Sequence, residues 1–215
     1  MNNNNINILV IIRQSNGDVL LSNSLIYQLK KKLKPRAIDL LINDDTLAIA
    51  KTLPNIRKII SFSYQKRKEN RWLQEKNIIQ RIYRKYDLSI NLTPNDGSVI
   101  YALLASKNSI SAIEKNKDKS WWKKLLLQHY YHFNSNKHIL LNNLEPLNCL
   151  GLKKLTKQII PTSNEESIAI VLGRLEKLNI SKFIIFHPSA KEDYKIYPQF
   201  LRHELLSLLS QLDIP

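Results

Sequence analysis

The sequence predicts an α/β fold built on a mainly parallel sheet, and three observations predict it. Short runs of isoleucine, leucine and valine recur through the first half of the chain without polar alternation, as strands covered on both faces require. Between them lie stretches whose apolar residues fall at helical spacing. Proline, asparagine, aspartate and a few glycines mark the joints, so strand and helix alternate.

The first strand spans Ile6 to Ile12, nearly all β-branched residues or leucine. Leu21, Leu25, Leu29 and Leu33 then form one stripe of a helix. Lys30, Lys31, Lys32 and Lys34 crowd its end, where they favour the negative pole of the macrodipole, and Pro35 stops it. Ala37 to Ile42 reads as the second strand. Asp44 and Asp45 are expected to cap a helix running through Thr52, which Pro54 breaks. Ile56 to Phe62 is a third, short strand, and Lys66 to Tyr86 a long basic helix. Leu88 to Leu92 is a fourth strand. Pro94, Asn95, Asp96 and Gly97 make a turn into a helix over Ser98 to Ser106.

Trp121 to Phe133 reads as a further helix, whereas Asn134 to Lys154 has too weak a period to assign. Pro161 to Asn164 has the composition of a linker. Beyond it, Glu165 to Leu178 is helical, with Ile168, Val171, Leu172 and Leu175 on one side. A new buried strand is expected at Phe183 to Phe186, ending in His187, Pro188 and Ser189. Two domains follow, 1–160 and 161–215, with Phe183 to Phe186 outside the sheet that holds the first strand.

The chain has 215 residues, with 33 lysines and arginines against 18 acidic residues, a formal net charge of +15. That surplus favours an anionic partner: nucleic acid, an acidic lipid surface or phosphorylated small molecules. Cys149 is the sole cysteine, which excludes an internal disulfide and argues against a cysteine-built zinc site. No apolar run reaches the length of a membrane span, and the polar start lacks the basic and apolar regions of a signal peptide. A cytoplasmic protein is expected. The glycines are Gly17, Gly97, Gly151 and Gly173, so neither GxGxxG nor GxxxxGK[ST] exists. A nicotinamide dehydrogenase or a P-loop nucleotidase is thereby disfavoured.

Ligands of open α/β sheets bind at the carboxyl ends of the strands. Asn16, Gly17 and Asp18 lie at such an end, the glycine allowing a tight turn and a close ligand. Asp18 at the mouth of a helix has two readings. It is a helix cap, or a general base that takes a proton from a substrate hydroxyl. As a base its side chain is expected to point into a cleft, not back onto the helix, with Asn95 or Asp96 nearby. The readings are compatible only in part, because N–H bonds to a capping carboxylate favour its ionised form.

Lys66, Arg67, Lys68 and Arg71 form a basic knot after the third strand, either a solvated helix face or an anion site. Trp121, Trp122, Lys123 and Lys124, with Tyr130, Tyr131 and Phe133, fit a helix packed on the sheet. The other reading is a surface for an anionic leaflet. His129, His132 and His138 have no recognised metal spacing and no nearby acid, so no metal site is expected. Asp44 and Asp45 likewise read as a helix start.

The segment "ILVIIRQSNGDVLLSNSLIYQLKKKLKPRAIDLLIN" resembles the opening of the lipopolysaccharide heptosyltransferases, glycosyltransferase family 9. The resemblance continues through "TLPNIRKIISF" and "YDLSINLTPNDGSVIYALLASK", and returns at "FIIFHPSAKEDYKIYP". It implies the GT-B architecture, two Rossmann-like domains facing a cleft, here an acceptor-side domain and the start of a nucleotide-sugar domain. It implies transfer of heptose from ADP-heptose to the Kdo or heptose of the lipopolysaccharide inner core, with inversion, without a metal or other cofactor. By the same resemblance Asp18 is the base. Ser189 and Lys195 contact the donor phosphates; Lys191 is an alternative to Lys195, since the loop reads as one residue longer than in some relatives. Lys66, Arg67 and Lys68 face the anionic acceptor, with Asn95 and Asp96 as further acceptor contacts that a turn explains equally well.

The family's later strands, glycine-rich turn and acidic nucleotide segment have no counterpart before Pro215. A shortened and catalytically doubtful chain is therefore an expectation, as is peripheral contact with the cytoplasmic face of an anionic inner membrane. The rival reading is a non-catalytic basic module for anionic ligands or nucleic acid. Its interleaved stacking aromatics are scarce outside Trp121 to Phe133, so nucleic acid is not the expected partner.

Overall fold

The computed structural model describes residues 5–115, 117–156, 159, 161, 163, 165–190 and 193–212, without the side chains of 117–119. The chain divides into two compact units, Met1–Thr162 and Ser163–Pro215.

The first unit is a six-stranded sheet: β1 (Asn7–Ile12), β2 (Ala37–Asn43), β3 (Lys58–Phe62), β4 (Leu88–Asn91), β5 (Ser109–Ile113) and β6 (His129–His132). The strand order is β3-β2-β1-β4-β5-β6 and every pairing is parallel. The chain runs outward from β1 to β3, then returns past β1 to β4. That reversal puts a switch point between β1 and β4, where open sheets of this kind bind ligands beyond the carboxyl ends.

The unbroken apolar run of β1 has a physical cause, because both of its faces are covered. Ile8, Val10 and Ile12 pack with Leu25, Ile26 and Leu29 of α2 (Asn23–Leu33). On the same side lie Leu140 of α7 (Ile139–Asn143) and Leu147 of α8 (Glu145–Cys149). Leu9 and Ile11 point the other way, to Ile78 and Ile82 of α4 (Tyr64–Ile82) and Tyr101 and Ala102 of α5 (Asp96–Ala105). Each such side chain contributes about 1.5–3 kcal/mol on burial. Asp39 interrupts the buried run of β2 and is paid for locally: Arg57 grips both its oxygens, Nε to Oδ1 at 3.0 Å and Nη2 to Oδ2 at 2.8 Å. The Tyr86 hydroxyl donates to Oδ2 at 2.8 Å. Buried and bonded to that carboxylate, Tyr86 titrates far above its ordinary range.

Several expectations change. Asp44 to Thr46 is a single 3-10 turn before the four-residue α3 (Leu47–Ala50), so the helix expected through Thr52 is short. The long basic helix is broken at Asn70 (φ −148°, ψ 77°), whose side-chain oxygen accepts from the Leu73 N–H at 3.1 Å. Asn70 thus caps a second helical segment inside α4. Ser109–Ile113 is a strand that the sequence reading does not assign. Trp121 to Phe133 is not one helix: α6 (Lys117–Leu126) gives way to β6. The β-favouring run His129–His132 finds an open edge on β5, and pairing there outweighs continuing the helix.

The stretch without clear period holds α7, α8 and a tail laced to α2. Gln28 exchanges two bonds with the Leu155 backbone, both 2.8 Å. Ser24 Oγ and Asn23 Nδ2 bind the N–H and C=O of Ile159. This explains why the polar residues Asn23, Ser24 and Gln28 are buried.

The second unit holds α9 (Glu165–Lys177) and α10 (Gln199–Leu209). Phe183 to Phe186 is not a buried strand: it pairs with nothing among the described residues, and Ile185 is 82% exposed. A strand needs a neighbour to satisfy its backbone, and none is described in this unit.

Candidate active site

The site is built on the carboxyl edge of the first sheet. After β1 the chain turns at Ser15 into α1 (Asn16–Leu21). Asn16 and Gly17 are exposed in its first turn, and Asp18 follows at the third helical position. Ser15, not Asp18, is the N-cap. Asp18 Oδ2 accepts from the Ser15 N–H at 3.0 Å and the Ser15 hydroxyl at 2.7 Å, closing a capping box. Asp18 therefore turns back onto the helix start, unlike the cleft-pointing side chain expected of a base. Both bonds fall on one oxygen, and Oδ1 makes no hydrogen bond among the described residues.

β4 ends in a small polar network. Asn91 Nδ2 donates to Ser111 Oγ at 2.8 Å and to the Thr93 carbonyl at 2.7 Å, while its Oδ1 accepts from the Thr93 N–H. Thr93 Oγ1 in turn accepts from the Arg13 N–H at 2.9 Å. The ends of β1, β4 and β5 are thereby locked in register. Asn95 caps α5, accepting from the Ser98 N–H at 2.9 Å. Asp96 pairs with Lys123 Nζ at 2.6 Å, and Glu114 meets the same ammonium at 2.5 Å. So Asn95 and Asp96, expected as acceptor contacts, have structural bonds of their own. Burial alone would lower the Lys123 pKa, but bonds to Asp96 and Glu114 outweigh it and raise it. Lys123 is the part of the edge that the sequence reading does not single out: a fully buried lysine held by two distant carboxylates leaves no local signal.

Beyond β3, Ser63 Oγ accepts from the Lys66 N–H and caps α4. Gln74 reaches back to both backbone groups of Ser63, at 2.7 and 2.9 Å. A groove of about 460 Å³ lies along this helix, lined among others by Asp44, Ser61, Lys66, Glu69, Asn70 and Arg81. Lys66 faces it; Arg67 and Lys68 are exposed beside it, and none of the three forms an ion pair among the described residues.

In α6, Trp121 is 65% and Leu125 76% exposed, whereas Trp122 packs on Val99 and Ile113. The helix thus packs on the sheet through one side, as the first of the two expectations requires, and leaves Trp121 and Leu125 exposed on the other. His138 caps α7 through Nδ1, and His129 and His132 lie exposed on β6. Among the described residues no helix is long and apolar enough to cross a membrane.

In the second unit Ser189 is exposed, in a loop tied to α10 by Arg202 donating to the Pro188 carbonyl at 3.2 Å. Lys195 ends a 3-10 turn, exposed, with its ammonium 5.3 Å from the Tyr194 ring centre. Lys191 lies outside the described residues.

No family model matches the chain. Among curated proteins, the lipopolysaccharide heptosyltransferase 3 of Escherichia coli is 25% identical over 185 residues, 84% of this chain and 54% of that protein. The chain spans a little over half the length of the curated relatives it matches. Among solved structures, the glycosyl transferase family 9 protein from Veillonella parvula DSM 2008 superposes with a TM-score of 0.79 at 17% identity, over 100% of this chain and 62% of that one. The E. coli heptosyltransferase WaaC with ADP-2-deoxy-2-fluoro heptose gives 0.70 at 17% identity, over 96% and 66%. The chain is a distant homologue of the lipopolysaccharide heptosyltransferases, and its fold is the one that glycosyltransferase family 9 structures have over about that share of their length.

Proposed function

We propose that this protein is a heptosyltransferase that moves heptose from ADP-heptose to the Kdo or heptose of a lipopolysaccharide inner core. The observation that carries the reading is the position of Asp18, one residue past Gly17 in the first turn of α1, beside the switch point of the sheet. In the proposed reaction the acceptor hydroxyl attacks the anomeric carbon from the face opposite ADP. Asp18 Oδ1 takes the hydroxyl proton while Ser15 holds Oδ2 and so orients the carboxylate. The bond from the anomeric carbon to the diphosphate oxygen breaks, the electron pair leaves with ADP, and the configuration inverts. Ser189 and Lys195 bind the departing diphosphate, a hydroxyl donor and a mobile cation suiting that charge. Lys66, Arg67 and Lys68 attract the anionic acceptor, and the exposed Trp121 and Leu125 rest on the cytoplasmic face of the inner membrane that carries it.

The test is ADP release by the protein given ADP-heptose and a Kdo-terminated core acceptor, with and without Asp18→Asn. Release that needs Asp18 supports the reading. Salt-sensitive binding of the acceptor with no release in either protein overturns it, in favour of a basic module that binds anions without chemistry.

A further inference from the structure

Arg13 follows the last residue of β1 and is only 8% exposed, so a full positive charge is buried at the carboxyl edge. Its surroundings come from the ends of β2 and β3 and from α4 and α5. The guanidinium carbon sits 3.7 Å from the ring centre of Phe62, the last residue of β3, and within 6 Å of Tyr64 and Tyr101. Nε points to Asn43 Oδ1, at the end of β2, at 3.4 Å. These are neutral partners. Among the described residues Arg13 makes no ion pair, and the acids that could serve have other partners. Asp18 is held by Ser15, Asp96 and Glu114 by Lys123, and Glu75 by Tyr101, while Asp44 accepts from the Asp45 N–H.

A buried cation without a counter-ion is costly, and ring stacking offsets only part of that cost. With one face on Phe62 and Nε turned to Asn43, the remaining donors are the Nη edge. The residue beside that edge is Gly97, which has no side chain to lie over it; an added Cβ would come to 3.4 Å from Nη1, ordinary van der Waals contact.

We propose that Arg13 is an anion-recognition residue whose guanidinium edge takes two oxygens of a carboxylate or phosphate at the carboxyl edge of the sheet. A planar fork of donors matches both groups. The claim rests on the function proposed above only for the source of the anion, either the carboxylate of an acidic acceptor sugar or a phosphate on the acceptor.

The experiment compares the full chain with Arg13→Met and Arg13→Lys, measuring Tm and calorimetric binding of three probes. These are Kdo as the free sugar acid, its methyl ester, and inorganic phosphate. Wild type is expected to bind Kdo or phosphate but not the ester. Arg13→Met should weaken that binding on the order of tenfold or more, while its Tm stays level or rises because an uncompensated charge has left the interior. A merely structural arginine behaves in the opposite way: Tm falls and anion binding persists. Should Arg13→Met fail to fold, Arg13→Lys decides, since it keeps the charge and loses the fork; undiminished binding there overturns the proposal. Kdo binding that survives Arg13→Met leaves the heptosyltransferase reading standing and removes Arg13 from it. Phosphate binding that needs Arg13, without Kdo binding, keeps the site and assigns it to a phosphate. Binding of neither probe to wild type overturns it.

Discussion

One carboxylate at the helix start carries two demands, and the fold meets them on different oxygens. Ser15 occupies Asp18 Oδ2, so the cap is satisfied without Oδ1. Asp18→Asn keeps an acceptor for the Ser15 N–H and should leave Tm nearly unchanged, while kcat of the proposed heptose transfer should fall on the order of a hundredfold or more. Ser15→Ala removes the cap hydroxyl, worth about 1 kcal/mol, so Tm should fall by about 2–4 °C with a smaller loss of kcat. Equal kcat in Asp18→Asn and wild type would make the aspartate a cap alone. The sequence reading makes Asp18 itself the cap, whereas the cap is Ser15, three residues earlier in "SNGD". What the sequence could not reveal is which oxygen the box uses, because that depends on a rotamer set by Ser15. Arg13 was equally illegible, since its burial comes from Phe62 and Tyr101, residues far off in sequence.

Among the elements, α4 bears the strongest positive charge near the candidate site, and its geometry separates cations from scaffold. Asn70 divides it, and Gln74 pins the start of the helix to Ser63. Replacing Lys66, Arg67 and Lys68 with alanine should raise the acceptor KM, more at low salt than at high, where screening already weakens the attraction. Circular dichroism and Tm should hardly move, because these side chains are exposed. An unchanged KM would return the three to the solvated surface. Helix and strand existence was read well where apolar periodicity was strong, as in β1, β2 and α2. It failed at β5, whose "SISAI" alternates small polar and apolar residues although every side chain is buried. Ser111 belongs there because Asn91 bonds it, a tertiary contact with no local trace.

For the whole molecule, several buried groups set one pH limit. Tyr86, Tyr101 and Tyr131 are raised chiefly by burial, and Lys123 by its two carboxylates against the pull of burial. A group with a raised folded pKa holds its proton more firmly in the native state. Its stabilisation is complete below the unfolded value, about 10 for these types, and is lost as pH climbs through the folded value. Tm should therefore be level from about pH 7 to 9 and fall steeply above about pH 10, with Tyr86→Phe blunting part of the fall. A level Tm through that range would mean the tyrosines are solvated. Cys149 is raised as well, by burial and then by Glu145, so iodoacetamide at pH 8 should alkylate it more slowly than free cysteine. The expected strand at Phe183 to Phe186 shows the limit of reading strands from apolar runs. Such a run states only an appetite for burial, and a partner must be present to meet it.

The strand order also has a clock in it. β1 is made first, yet it lies between β2 and β4, which begin at Ala37 and Leu88. During synthesis at about 5–20 residues per second, β2 can close one side of β1 within seconds. The other side waits for some 76 further residues after Ile12, roughly 4–15 s at that pace. Through that interval a nascent chain carries the unpaired edge of "NILVII", the most apolar of the described strands. Translation speed between Ile12 and Asn91 thus governs how long this protein is open to pairing with the wrong neighbour.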